Sequence, residues 1–135
     1  MIMEEKRYNK STFPEVLLDI KVDTEIVDIH NDFDCTGVEI KGSDLIAFLE
    51  KSTPTKNFKP QSKFSSGTIK FVNFETENLK SLLCERYPDT ITNFSIGEFS
   101  DKNDKKRSQK TLFVLRFQES KEYEIIASEV IVRFN

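Results

Sequence analysis

The feature that most restricts the fold of this chain is a two-residue alternation of apolar and polar side chains, repeated in short runs and broken by turn formers. A β-strand points successive side chains to opposite faces, so each such run reads as a strand buried on one side. In residues 15–23, Val16, Leu18, Ile20 and Val22 fall on one side and Asp19, Lys21 and Asp23 on the other. Val27 and Ile29 against Asp28 and His30 predict a second strand over residues 25–30, reached through a tight turn near Asp23 and Thr24. Asn31, Asp32, Phe33 and Asp34 are turn formers around one aromatic. Residues 36–41 read as a third strand, with Val38 and Ile40 inward and Glu39 and Lys41 outward.

Gly42 ends that strand, and Ser43 then stands where an N-cap would. Leu45, Phe48 and Leu49 follow i, i+3, i+4 spacing, which predicts a short helix over residues 44–51, with Asp44 and Lys51 placed to suit its dipole. Residues 52–66 are polar and hold Pro54 and Pro60, so an exposed loop is expected, pinned by Phe58 and Phe64. Residues 67–75 are rich in β-formers. Thr76 or Asn78 could cap a second helix through Tyr87, with Leu79, Leu82, Leu83 and Arg86 as its stripe and Pro88 as its stop. Residues 91–99 give a weaker strand, with Phe94 and Ile96 on one side. Residues 100–110 are nearly devoid of apolar side chains and predict an exposed loop. Residues 111–118 and 123–134 flank a hairpin turn, and the last run is long enough to bend near Ala127 and Ser128.

These runs amount to about seven strands and two helices, mostly antiparallel because several connections are too short for crossovers. The expected fold class is α+β: one domain over residues 1–135, a curved antiparallel sheet packed by two helices, with residues 1–12 as a flexible N-terminus. A chain of 135 residues with twelve Phe can bury a real core, which excludes intrinsic disorder.

No apolar run approaches the roughly 20 residues that cross a bilayer as a helix, so no membrane partner is expected. The first dozen residues carry Glu4, Glu5, Lys6, Arg7 and Lys10 rather than an apolar leader segment, which makes the cytoplasm the default location. Cys35 and Cys84 lack the spacing of a zinc site or a disulfide framework and read as free thiols. Net charge is −3 but uneven: residues 1–50 carry 5 basic and 12 acidic side chains, residues 51–110 carry 12 and 7, and residues 111–135 carry 3 and 4. An acidic face would raise the association rate of a basic partner and repel phosphate backbones.

Catalytic equipment is sparse. His30 is the sole histidine, and a lone His on an alternating strand reads as a surface or packed residue. The four glycines stand too far apart for a phosphate-cradling loop, and no His/Cys cluster suggests a metal or any cofactor. Asp28, Asp32, Asp34 and Glu39 form the one carboxylate constellation able to take a hard cation, although Asp32 and Asp34 do not start a full calcium loop. Glu39-Ile40-Lys41 resembles the Glu-x-Lys strand of restriction-endonuclease-like nucleases, with Asp28 as a metal-binding partner; that resemblance implies a Mg-dependent nuclease in which Lys41 stabilises developing phosphate charge. Acidic surroundings oppose a DNA groove. Lys56, Phe58, Lys59, Lys63 and Phe64 interleave basic and aromatic residues as an RNA-stacking platform does, yet the sequence pI near 5.3 weighs against nucleic acid.

The early strand pair, the Asp32-Phe33-Asp34 turn, the strand and short helix ending near Lys51 and the closing hairpin resemble, in overall type, immunity proteins of bacterial contact-dependent and polymorphic toxin systems. The resemblance implies a non-enzymatic protein-binding domain that neutralises a toxin by occluding its active site. Asp32, Phe33, Asp34 and Glu39 would be the partner-binding residues, acidic side chains meeting a basic toxin domain around an aromatic anchor. A small regulatory or ligand-binding module is the other class open to such a chain.

Overall fold

A computed structural model describes residues 4–22, 25–98, 110–119 and 121–135. The expected turn at Asp23 and Thr24, and the loop over residues 100–110 except Lys110, lie outside the described residues. The described residues form ten strands and two very short helices. In order they are β1 (Glu4–Tyr8), β2 (Asp19–Val22), β3 (Glu25–Asp28), α1 (Ile29–Asp32), β4 (Phe33–Lys41), β5 (Asp44–Lys51), β6 (Ser66–Val72), α2 (Leu79–Leu83), β7 (Ile91–Ile96), β8 (Thr111–Phe117), β9 (Glu122–Ala127) and β10 (Glu129–Phe134). All pairings are antiparallel. Three sheets replace the single seven-stranded one: β1-β10-β6-β5-β4, β2-β3, and β7-β8-β9.

The division has a local cause. Ser128 separates β9 from β10, and at that residue the chain leaves one sheet and enters the other, the bend that the long C-terminal run implied. Isolated bridges at Val16–Ser95, Cys35–Asp89 and Glu75–Ile126 stitch the sheets together. Their inner faces share one core. Phe13, Phe71, Phe94 and Phe113 interlock with ring centroids 5.1–6.2 Å apart, a spacing at which edge-to-face contacts are favourable. Phe134 stacks on Phe64 at 5.5 Å and meets Phe33 at 5.7 Å. Each fully buried Phe contributes about 1.5–3 kcal/mol relative to exposure, so this aromatic core is the main stabilising element.

Several expectations require correction. Residues 4–8 are not a free N-terminus: β1 pairs with β10 from Glu4–Phe134 to Tyr8–Val130. Residues 44–51 are a strand, not a helix. Leu45, Ala47 and Leu49 are buried at every second position, and β4 and β6 supply backbone partners on both sides. Gly42, with φ of +63°, and Ser43 form a two-residue connection between β4 and β5, a position where glycine adopts positive φ without steric penalty. Asp28 accepts from the Asn31 backbone and caps the single helical turn of α1, so the predicted turn begins as helix and Phe33 already belongs to β4. Ile40 shares the inward parity of Val38 but is 44% exposed, because it lies near the open end of β4 beyond the bulge at Cys35/Gly37. The second helix is shorter than its stripe suggested, ending at Leu83. The loop over residues 52–66 is fastened by buried Phe64 and Ser62, whereas Phe58 is 39% exposed and pins nothing.

Candidate functional site

The β4–β5 hairpin carries the densest charge. Cys35, Val38 and Ile40 pair with Leu49, Ala47 and Leu45 and share the core-directed parity. The intervening residues Asp34, Glu39, Asp44 and Glu50 stand on the opposite face, together with Lys41. Asp34 lies directly opposite Glu50 in the register, an arrangement of like charges that destabilises a sheet. None of these four carboxylates has an ion-pair partner among the described residues. On the far side of the same sheet the charges are satisfied internally: Arg7 bridges Glu5 at 3.3 Å and Glu129 at 3.0 Å, and Arg133 reaches Glu5 at 3.5 Å.

On this outer face, register places Glu39, Ile46, Lys70, Ile131 and Arg7 in one cross-strand row, and Gly37, Phe48, Thr68, Arg133 and Glu5 in the next. The rows line a groove of about 410 Å³, with Ile46 and Phe48 half-buried on its floor. Ile131 is only 5% exposed although it sits on this face, between the cross-strand neighbours Lys70 and Arg7. The groove sets Ile46, Phe48 and Ile131 among Thr68 and Lys70, with Glu39, Lys41 and Asp44 on the hairpin side and the Arg133–Glu5 ion pair on the other.

The residues expected to anchor a partner are only partly gathered here. Asp34 and Glu39 stand on the hairpin's outer face, Asp34 half-buried with its Oδ1 accepting from the Thr90 hydroxyl at 3.2 Å, and Glu39 exposed. Asp32 is 5% exposed; its Oδ1 accepts from the Gln61 backbone at 3.2 Å and its carbonyl from Ser52 at 2.8 Å, so it fastens the 52–66 loop. Phe33 is 1% exposed and belongs to the core. An aromatic at position 33 is therefore closed off from the surface in this fold, whereas Phe48, half-buried, lines the groove. Glu50, Asp44 and Phe48 share a face only in a strand, and the helical spacing of Leu45, Phe48 and Leu49 hides this in the sequence. The signal that would have found them is the alternation of Leu45, Ala47 and Leu49 behind a Gly42-Ser43 turn.

Glu39 and Lys41 do share a face and line the groove, as the Glu-x-Lys reading requires, but Asp28 caps α1 and does not line it. Among the described residues no group of three or more His, Cys, Asp or Glu side chains is placed to hold a metal ion. His30 is half-buried, its Nδ1 2.8 Å from the Ile91 carbonyl. The interleaved stretch splits: Phe64 is buried under the Lys63 ammonium at 5.2 Å, Lys63 pairs with Glu25 at 3.4 Å, and only Phe58 keeps an exposed ring.

Both cysteines are free thiols. Burial pushes the Cys35 thiol up to about 12, and the nearby Asp89 and Asp34 carboxylates add to the effect; Cys84 is exposed. Burial likewise raises Tyr87 and Tyr123, the latter also through its hydrogen bond to Glu85.

Fold and face together define an α+β domain with an open, acid-edged sheet surface. No family model, curated protein or solved structure matches this chain. Among the described residues no helix is long and apolar enough to cross a membrane.

Proposed function

We propose that this chain is a non-enzymatic protein-binding domain whose contact surface is the outer face of the β4–β5 hairpin and the groove beside it. The observation that carries the reading is the set Asp34, Glu39, Asp44 and Glu50, four carboxylates held on one face of a hairpin with no ion-pair partner among the described residues. Repulsion between opposed carboxylates costs stability, and a basic partner would relieve it. Ile46 and Phe48 beside them supply the apolar centre around which such contacts are strongest. In its finer form the proposal is an immunity protein acting in the cytoplasm, where Cys35 and Cys84 stay reduced, and occluding the basic active-site cleft of a toxin.

Photo-crosslinking from position 48 in the native host, followed by mass spectrometry, identifies the protein seated on this face. With that protein purified, Glu39→Lys combined with Glu50→Lys should lower the association rate by about tenfold or more at low ionic strength and flatten its salt dependence. Kinetics untouched by the double substitution would refute the proposal. Mg²⁺-dependent DNA cleavage lost in Glu39→Ala and in Lys41→Ala would install the nuclease reading in its place.

A further inference from the structure

A second concavity, independent of the sheet groove, lies where α1, the start of β4 and the loop after β5 meet the Thr90–Ile91 strand end. Its volume is about 380 Å³, within the usual range of small-molecule sites. The hydrogen bonds around it fix what it offers. His30 Nδ1 faces a carbonyl, which can only accept, so Nδ1 donates there and Nε2 is the ring nitrogen free for another contact, an acceptor in the neutral imidazole. Asn31 spends one Nδ2 hydrogen on Asp28, leaving its Oδ1 and the second Nδ2 hydrogen for other partners. Asp34 takes the Thr90 hydroxyl on one oxygen and has no partner for the other among the described residues. The Gln118 side-chain amide also has none, and hydroxyls from Ser52, Thr53 and Thr55 complete the rim.

One aromatic faces this polar wall. Thr55 and Phe58 exchange backbone hydrogen bonds at 2.8 and 3.4 Å, a closed turn that presents the 39%-exposed Phe58 ring at the cavity. Among the described residues no lysine or arginine lines it, which disfavours an anion. Fixed acceptors, amides and hydroxyls that both donate and accept, and one flat apolar ring match a neutral ligand with many hydroxyls and a C–H face. We infer that this cavity is a binding site for a sugar, with Phe58 stacking on the ring and His30, Asp34 and Gln118 reading its hydroxyls.

The test is a titration of the ¹⁵N-labelled full chain with glucose, galactose, N-acetylglucosamine and maltose, and in a separate arm with putrescine. At least one sugar should shift the Thr90 and Gln118 amides saturably, with a midpoint of about millimolar, as expected for a small ligand in an open site. Phe58→Ala and Gln118→Ala should each raise that midpoint at least fivefold with the rest of the spectrum unchanged. Neither variant touches the acidic hairpin face, so failure here is separable from failure of the protein-binding proposal. No saturable response to any of the four sugars, a response indifferent to Phe58→Ala, or saturation by putrescine alone would each overturn the assignment.

Discussion

Gly67 gives the sharpest test of how tightly this core is closed. It sits in β6 opposite Phe134 in β10, and a Cβ built there would stand 2.8 Å from the Arg133 carbonyl oxygen, 2.8 Å from Phe134 Cδ1 and 3.1 Å from Phe134 Cε1. Carbon atoms in contact prefer about 3.5–4.0 Å, so something must move. The carbonyl is backbone in a paired strand, and the Phe134 ring is boxed by Phe33 and Phe64, so neither yields easily. Overpacking of this kind costs about 1–3 kcal/mol, against about 0.5–1 kcal/mol recovered by replacing glycine in a strand. Gly67→Ala should therefore destabilise the domain by about 1–2 kcal/mol, or roughly 3–10 °C in Tm. Gly37→Ala is the matched control: nothing stands within 4 Å of its Cβ position, so it should be neutral or stabilising by about 0.4–1 kcal/mol. Urea melts of both variants, analysed for midpoint at constant m-value, measure the difference. A Gly67→Ala protein as stable as Gly37→Ala would refute the packing argument.

Three further outcomes follow from charge and burial. The buried Cys35 thiol, raised to about 12 from 9.0, stays protonated in the fold while the unfolded chain ionises, so stability is intact below pH 9 and falls above it, by about 1.4 kcal/mol at pH 10. Cys35→Ala should remove that part of the alkaline limb in pH-dependent urea melts, and an unchanged slope between pH 8.5 and 10 would count against the assignment. In native protein a thiol reagent should label Cys84 rapidly and Cys35 only on unfolding; two fast thiols would contradict the burial of Cys35. Glu50→Lys exchanges a like-charge pair with Asp34 for an opposite one and should raise stability by about 0.5–1 kcal/mol at low salt, a gain that shrinks in 0.5 M NaCl. Absence of any gain at low salt would show that the opposed carboxylates do not repel.

Much of the architecture was legible because it is written in local period. The β8–β9 hairpin, β6, the break at Gly42 and the bend at Ser128 follow from alternation and turn chemistry within about ten residues, whereas the run over residues 15–23 is a strand only at Asp19–Val22, with Leu17 buried and Val16 47% exposed against the alternation expected there. Where local pattern was ambiguous, sequence reading failed. Leu45, Phe48 and Leu49 fit a helix, while Leu45, Ala47 and Leu49 fit a strand, and eight residues cannot separate the two periods. The acidic face was legible only as charge imbalance: Asp34 and Glu39 could be named, but Glu50 and Asp44 became their neighbours only once β5 paired with β4.

Sequence alone determined that this is a mostly antiparallel α+β chain with one-sided strands and an acid-rich first third. The tertiary structure decided that β1 closes one edge of the main sheet, that Asp32 and Phe33 are interior, and which carboxylates share a surface. The reason is that side-chain periodicity reports which way a residue points within its own segment, whereas partners across a sheet are fixed by backbone hydrogen bonds between segments distant in sequence.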